Sequence, residues 1–473
     1  MSNFFCKVLI PVCLINVLLP NTSGKGKVTF KTVVTTVYKN NPAIKAAKYM
    51  KFASDEGVAQ AFSEYYPNVG IRLYNGFSRQ NTNRRDHSSE ELAKRYYSTG
   101  AVTLSQNLFN GFGTKHKYNR AVQNVNSARY NYYQKEQEVF LESLKAFVDL
   151  WAARAMLANA ITMRDNLKDV LAARKLQLDS GEIKIQDYAS VDAELHSAEA
   201  RVTGCKGEVE SAYVVLKSFT GKDMEGECCL PYDIEKLLPD TLHDFREKAL
   251  KNNMEILSAK YAIEAARENL SLAKSGFAPR LDLNAQVARR WDHRIHSGRT
   301  YFGNYFENIH HNYENDTTYV GLSMNIPLWK NSGESISSYV RQASEMLTKA
   351  ECEYLAVVSY IKQKCSKVWN DYVSSIDKSK YALDAEISAS IALDGYKQAE
   401  LRGSESSTNV IYNENKLLDA RNKYVEALAQ KIKAMLDAEY YMGALNAEYF
   451  KLKSNTAEIL ENERKVRHAP INF

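Results

Sequence analysis

Four histidines fall within one short polar stretch of this 473-residue chain: His293 and His296, then His310 and His311. Imidazoles at such spacing could hold a borderline metal ion, but no carboxylate or thiolate set with matching geometry accompanies them, so no metal is expected. Five cysteines lie beyond the N-terminal stretch: Cys205, Cys228, Cys229, Cys352 and Cys365. An odd number at irregular spacing makes neither a disulfide framework nor a zinc site. Cys365 falls in an apolar helical seam and reads as core, while a bridge from Cys205 to the Cys228-Cys229 pair stays open. Gly111-Phe112-Gly113 punctuates a strand and a helix and lacks the dinucleotide spacing; there is no nucleophile elbow, phosphate loop or His-Glu-x-x-His. The remaining carboxylates sit on charged helical faces. These residues define neither an enzyme nor a cofactor site, and the formal charge of +6 is too dispersed for nucleic acid.

The elements that carry these residues come in duplicate. Asn40-Asn41-Pro42-Ala43-Ile44-Lys45-Ala46-Ala47-Lys48-Tyr49 returns 212 positions later as Asn252-Asn253-Met254-Glu255-Ile256-Leu257-Ser258-Ala259-Lys260-Tyr261, and the same offset carries Pro67 onto Pro279. Each copy then runs strand, polar loop, strand, long helix, Gly-bearing break and return helix, so the fold must be two like halves. The apolar fraction of 45% supports a sizeable core, and only nine prolines interrupt the chain, as long helices require. Tyrosine, at 30 copies, suits helix seams and water–lipid boundaries alike.

Residues 1–24 read as a secretory signal peptide: Lys7, an apolar run from Val8 to Leu19, then small residues at Thr22-Ser23-Gly24. No other apolar run is long enough for a transmembrane helix. The first repeat then covers 25–225, with strands near 66–78 and 99–109 and helices near 113–178 and 187–219. A linker covers 226–240, the second repeat 241–450, with strands near 279–291 and 317–328 and helices near 333–401 and 409–448, and a charged tail 451–473 ending in Phe473.

The strands alternate. Leu281, Leu283, Ala285 and Val287 interleave with Asp282, Asn284, Gln286 and Ala288; Val320, Leu322, Met324 and Ile326 interleave with Tyr319, Gly321, Ser323 and Asn325. The first repeat matches with Val69, Ile71 and Leu73 against Asn68, Gly70 and Arg72, and with Val102 and Leu104 against Thr103 and Ser105. Period-two patterning gives one apolar and one wet face. Both neighbours of each pair are helices with seams of their own, so no second layer is left for the apolar face and lipid is the expected cover. The other reading is a soluble antiparallel sheet with one face on a core; if instead the strands span a bilayer, several chains must share one barrel, because four strands cannot close a membrane barrel, which needs about eight. The intervening stretches 79–98 and 292–316 are polar and are expected to be exposed loops.

Heptad-like seams run through Phe140, Leu144, Phe147 and Trp151, and through Tyr354, Val358, Ile361, Cys365, Val368 and Tyr372. A helix of some 65 residues would be about 100 Å long. Each stops at a comparable break, Asp179-Ser180-Gly181-Glu182 and Arg402-Gly403-Ser404-Glu405, where glycine suits the left-handed helix end. Return helices are expected to start near Asp187 and Asn409, both capping types. The result is two antiparallel coiled-coil hairpins.

With its signal peptide, duplicated helix–strand–strand–helix–helix order and strand-heading prolines, the chain resembles the TolC-type outer membrane efflux proteins (outer membrane factors) over about residues 30–450. The match of Asn107-Leu108-Phe109-Asn110-Gly111-Phe112-Gly113 to Pro327-Leu328-Trp329-Lys330-Asn331-Ser332-Gly333 belongs to the same likeness. The resemblance implies a mainly α protein with membrane β: a homotrimer whose four strands per chain make a twelve-stranded barrel continued by an α-helical periplasmic tunnel. It also implies a passive exit duct in the Gram-negative outer membrane, working with a periplasmic adaptor and an inner-membrane transporter, in tripartite efflux or type I secretion. It places the breaks at the periplasmic tip, making Gly181, Glu182, Gly403 and Ser404 adaptor contacts and Asp187, Glu405, Asn409 and Tyr412 entrance candidates. Asn409 stands where that family often has Asp, so only a mild cation preference follows. Two alternatives remain, a trimeric surface adhesin, which would carry its strands once at the C-terminus, and a non-channel periplasmic coiled-coil scaffold.

Overall fold

The structure, a computed structural model, describes residues 27–84, 89–224, 226–230, 238–299, 305–327, 331–447 and 450. The expected signal peptide, the tail 451–473 and the tripeptide Leu328-Trp329-Lys330 lie outside these residues. In chain order the elements are β1 (Lys27–Val28), α1 (Phe30–Asn40), α2 (Pro42–Phe62), a 3-10 turn (Ser63–Tyr65), β2 (Asn68–Arg84), β3 (Ser89–Asn110), α3 (Gly113–Asp179) and α4 (Ile185–Thr220). Then follow β4 (Glu227–Cys228), α5 (Leu242–Asn252), α6 (Met254–Ser275), β5 (Arg280–Arg299), β6 (Tyr305–Asn325), α7 (Asn331–Leu401) and α8 (Ser407–Tyr441). Among the described residues no helix is long and apolar enough to cross a membrane.

The duplicated Asn-Asn motif explains itself. Asn41 closes α1 and is buried; its Oδ1 accepts from the N–H of Ala43 (2.9 Å) and Ile44 (3.4 Å), opening α2, while its Nδ2 donates to the Phe219 carbonyl at 3.1 Å. Asn253 repeats each contact: Oδ1 accepts from Glu255 (3.0 Å) and Ile256 (3.3 Å), and Nδ2 donates to the Tyr441 carbonyl at 3.3 Å. One side chain thus ends a helix, caps the next and ties both to the C-terminal end of a return helix, satisfying buried groups that would otherwise be orphaned. The single helix expected ahead of each strand pair is therefore two.

Two compact units cut across the repeats. One comprises the described residues up to Tyr49, Tyr130–Leu257 and those from Val357 onward; the other comprises Met50–Arg129 and Ser258–Ala356. In the first, Val33, Val34 and Val37 of α1 bury against Phe140, Leu144 and Phe147 of α3, Leu216 of α4 and Leu436 of α8. Phe30 meets Phe147 edge-on, 5.6 Å between ring centroids. Ile361, Cys365 and Val368 of α7 are buried at the expected seam spacing. Two residues expected to be linker pair instead: Glu227 and Cys228 bond in parallel with Lys27 and Val28. All five cysteines are free.

The second unit holds one antiparallel sheet in the order β2-β3-β5-β6. Its register aligns Val69, Leu104, Ala285 and Val320 in one cross-strand row and Ile71, Val102, Val287 and Thr318 in another on the same face. That apolar row stands in the open: Ile71 and Leu73 are 78% and 79% exposed, Leu322 and Met324 both 65%. The opposite rows read Gly70, Thr103, Gln286, Tyr319 and Arg72, Ala101, Ala288, Thr317.

The described parts of the polar stretches 79–98 and 292–316 are strand, not loop. Pairing continues from Arg79 opposite Lys94 out to Arg84 opposite Ser89, and from Asp292 opposite Tyr313 to Arg299 opposite Tyr305. The ladder satisfies N–H and C=O groups whatever the side chains, so the strands persist where both faces carry polar residues and the alternation that marks them disappears. Residues 85–88 and 300–304 lie outside the described set.

Between β3 and α3 the chain turns through two left-handed residues, Gly111 and Phe112, both at φ 64°. A methyl on Gly111 would sit 2.2 Å from the Ala278 Cβ. Gly111→Ala is therefore expected to cost more than about 2 kcal/mol through strain and overlap together, read as a lower thermal midpoint in detergent. Burial pushes the Cys365 thiol up to about 11, so this side chain should resist maleimide at pH 8 and react only after denaturation.

Candidate functional site

The two helix breaks are built alike, atom for atom. At the end of α3 the Glu182 N–H reaches the Gln177 carbonyl (2.8 Å) and the Gly181 N–H that of Leu178 (3.0 Å). At the end of α7 the Ser404 N–H reaches Ala399 (3.0 Å) and the Gly403 N–H Glu400 (2.8 Å). This is the Schellman pattern, and it requires a left-handed residue, supplied by Gly181 (φ 78°) and Gly403 (φ 75°). A Cβ at either glycine would meet nothing within 4 Å, so the requirement is conformational and not steric.

The return helices start earlier than expected. Their N-caps are Lys184 and Ser406, which places Asp187 and Asn409 at the third helical position. The Ser406 hydroxyl accepts from the Asn409 N–H at 3.4 Å and so caps α8. Asp187 works in the reverse direction: its Oδ2 accepts from the Lys184 N–H at 3.4 Å, the reciprocal half of a capping box, and its charge lies at the positive end of the helix dipole. The capping role expected of Asp187 and Asn409 thus shifts three residues upstream, because serine and the backbone can cap while the longer acid reaches back.

Of the entrance candidates, Glu405 and Asn409 come together: the Asn409 Nδ2 donates to Glu405 Oε2 at 2.7 Å. Asp187 stays with its own break. Tyr412 is 66% exposed, one turn beyond Asn409 on α8. Ser404 Oγ closes onto the Ala399 carbonyl at 3.0 Å, and Glu182, Gly181 and Gly403 are exposed. The residues nominated for docking are thus exposed, and of those nominated for the entrance Asp187, Asn409 and Tyr412 are exposed too, while Glu405 is half-buried just ahead of the N-cap of α8.

Two ion pairs here had no sequence signal. Arg174, near the end of α3, donates from Nη2 to Glu400 Oε1 at 2.8 Å and from Nη1 to Gln177 at 2.8 Å, joining the ends of the two long helices. Lys397 pairs with Glu414 of α8 at 2.8 Å; that carboxylate is buried, and its Oε2 has no hydrogen bond. Arg174 and Glu400 stand at different distances from their glycines, so the duplication does not reveal them. Behind the ends, Met163, Leu167, Val191, Leu195 and Leu418 form one apolar cluster and Leu393, Val410 and Leu417 another, which seat α8 between its neighbours.

The four histidines lie on β5 and β6. His310 Nδ1 is 3.3 Å from His293 Nε2, and the His296 and His311 rings are 5.7 Å apart. Among the described residues no group of three or more potential ligands converges.

The combination of a sheet with an open apolar face and paired long helical hairpins defines a class of outer-membrane channel. The family model for outer membrane efflux proteins matches residues 33–222 and 245–443. The outer membrane efflux protein BepC of Brucella suis is 25% identical over 426 residues, 89% of this chain and 87% of that one. The proteases secretion protein PrtF of Dickeya chrysanthemi is 20% identical over 418 residues, 87% of each. Among solved structures, the Campylobacter jejuni CmeC outer membrane channel superposes with a TM-score of 0.72 at 15% identity, covering 92% of this chain and 89% of that one. The chain belongs to the outer membrane efflux protein family. It is a Gram-negative outer-membrane channel protein that reaches into the periplasm, and it is not an enzyme.

Substituting Gly181 or Gly403 by Ala should cost about 1–2 kcal/mol each from left-handed strain alone, with Asn better tolerated than Ala. A thermal midpoint for Gly181→Ala no lower than that of the unaltered protein would show that the break does not depend on the left-handed turn.

Proposed function

We propose that the protein is the passive exit duct of a tripartite efflux or type I secretion system, assembled as a homotrimer. The observation that carries this reading is the sheet's pair of unpartnered edges. β2 and β6 span 17 and 21 residues, and each bonds on one side only. In hydrocarbon every unmet backbone group costs several kcal/mol, so such edges must be met by strands of other copies. Joining β2 of one copy to β6 of the next closes the wall. Two copies would give an eight-stranded barrel, whose interior side chains fill. Three give twelve strands, with room for water inside the ring of Tyr74, Tyr97, Tyr313 and Tyr319 on the wet face.

The helices α3, α4, α7 and α8 continue the passage into the periplasm as a tunnel of coiled-coil hairpins. Its tip carries the two glycine breaks, with Gly181, Glu182, Gly403 and Ser404 available to a periplasmic adaptor that links the duct to an inner-membrane transporter. Asp187 and Glu405, repeated threefold around one axis, would repel one another and favour cations, while Asn409 and Tyr412 contribute no charge. The expected preference is mild. Opening moves the α7–α8 hairpin outward against α3–α4, which requires the Arg174–Glu400 pair to part. The wide wet barrel needs no substrate pocket, and selection falls to the transporter.

Purified protein in a planar bilayer should give discrete conductance steps. Arg174→Ala and Asp187→Ala should each raise the conductance, the first by freeing the hairpin and the second by loosening the break that Asp187 holds through the Lys184 N–H. Protein that gives no steps under any condition that relaxes the tip contradicts the duct; unchanged current with a lower thermal midpoint for Asp187→Ala reduces that residue to a cap.

A further inference from the structure

One carboxylate on the wet face of the sheet gathers more positive charge than it can neutralise. Asp292 of β5 is 6% exposed. From β3, Arg95 Nε donates to its Oδ1 at 2.8 Å and Oδ2 at 2.7 Å, and Arg95 Nη2 closes on Oδ2 as well. Arg294 donates to Oδ2 from Nη2 at 3.1 Å and from Nε at 3.3 Å. Arg290 Nε stands 3.8 Å from the same oxygen, buried and without a hydrogen bond of its own. Three guanidiniums around one carboxylate leave a surplus of two positive charges.

The cluster is built, with aromatic supports that hold the guanidiniums in place. Arg95 and Arg290 lie over the Tyr97 ring at 5.4 and 5.0 Å, and Arg294 lies over Tyr313 at 5.0 Å. Room for Tyr97 comes from Gly76, where a Cβ would meet the ring at 2.6 Å. On the opposite face Arg289 is matched by Glu314 at 2.7 Å and Asp316 at 3.5 Å. Along the wet face the described side chains add Arg72 and Arg280 against a single further carboxylate, Asp282.

We propose that this arginine cluster is a binding site for multivalent oxyanions, phosphate-bearing or polycarboxylate, on the inner wall of the duct. The inference rests on the duct reading, which turns this face inward and repeats the cluster three times around the passage. A guanidinium that already shares a carboxylate keeps free N–H donors in a planar fork, the geometry that takes phosphate and carboxylate oxygens in pairs. The surplus charge supplies the attraction, and it is strongest when the anion carries several charges and salt is low. The barrel end thus favours anions while the tip residues mildly favour cations.

Inositol hexakisphosphate, added to each side of a planar bilayer in turn, is the probe. The unaltered channel should be blocked from one side, with a half-blocking concentration that rises at least about tenfold between 0.1 and 1 M KCl as screening tightens. Arg290→Gln/Arg294→Gln, which keeps the Arg95–Asp292 pair, should raise that concentration at 0.1 M KCl at least tenfold. Asp292→Asn should lower it, since it removes the negative charge and leaves the arginines; a purely structural role would not strengthen block. Should Asp292→Asn fail to assemble, Arg290→Gln alone must give an intermediate rise. Normal conductance with the same half-blocking concentration in every variant overturns the anion site and leaves the duct intact, whereas absence of conductance overturns the duct.

Discussion

A backbone amide or carbonyl inside hydrocarbon must be bonded, and this constraint orders everything else in the molecule. The four strands satisfy it internally across three ladders and leave it unmet along β2 and β6. The side chains repeat the message, because among the described residues nothing covers the face that carries Val69, Ile71, Val287 and Leu322. An edge and a face that are both open can be satisfied together only by a closed wall bathed in lipid. The proposed barrel shared among copies answers both at once.

Elsewhere the two halves meet the same local problems with the same solutions. Asn41 and Asn253 turn the path at equivalent points and anchor each turn to a return helix, so one solution to a buried corner serves both halves. Gly181 and Gly403 do the same for the helix ends. The two breaks then differ in their side-chain contacts. Asp187 holds its own break, Asn409 holds Glu405, and Arg174 with Glu400 joins one hairpin to the other.

The sequence displayed what repeats and what alternates. The duplication, the long helices, the seam through Phe140, Leu144 and Phe147 and the apolar strand face were legible because each leaves a periodic trace. The outer halves of the strands were not: from Arg79 and Asp292 outward both faces carry polar and charged residues, and the pattern that separates strand from loop vanishes though the ladder continues. The helix starts were displaced for a local reason, since Asp187 and Asn409 are good cap types but act from inside the first turn. The ion pairs Arg174–Glu400 and Arg95–Asp292 join residues more than 190 positions apart and obey no repeat, so only the folded register brings them together.

The central claim is that one chain cannot complete its own wall. Native mass spectrometry of the protein extracted from membranes in mild detergent tests it most directly. The account predicts a single dominant species with the mass of three chains, stable to dilution. A monomer of the same fold that stays monodisperse in detergent, or release of the protein from membranes without detergent, would contradict it.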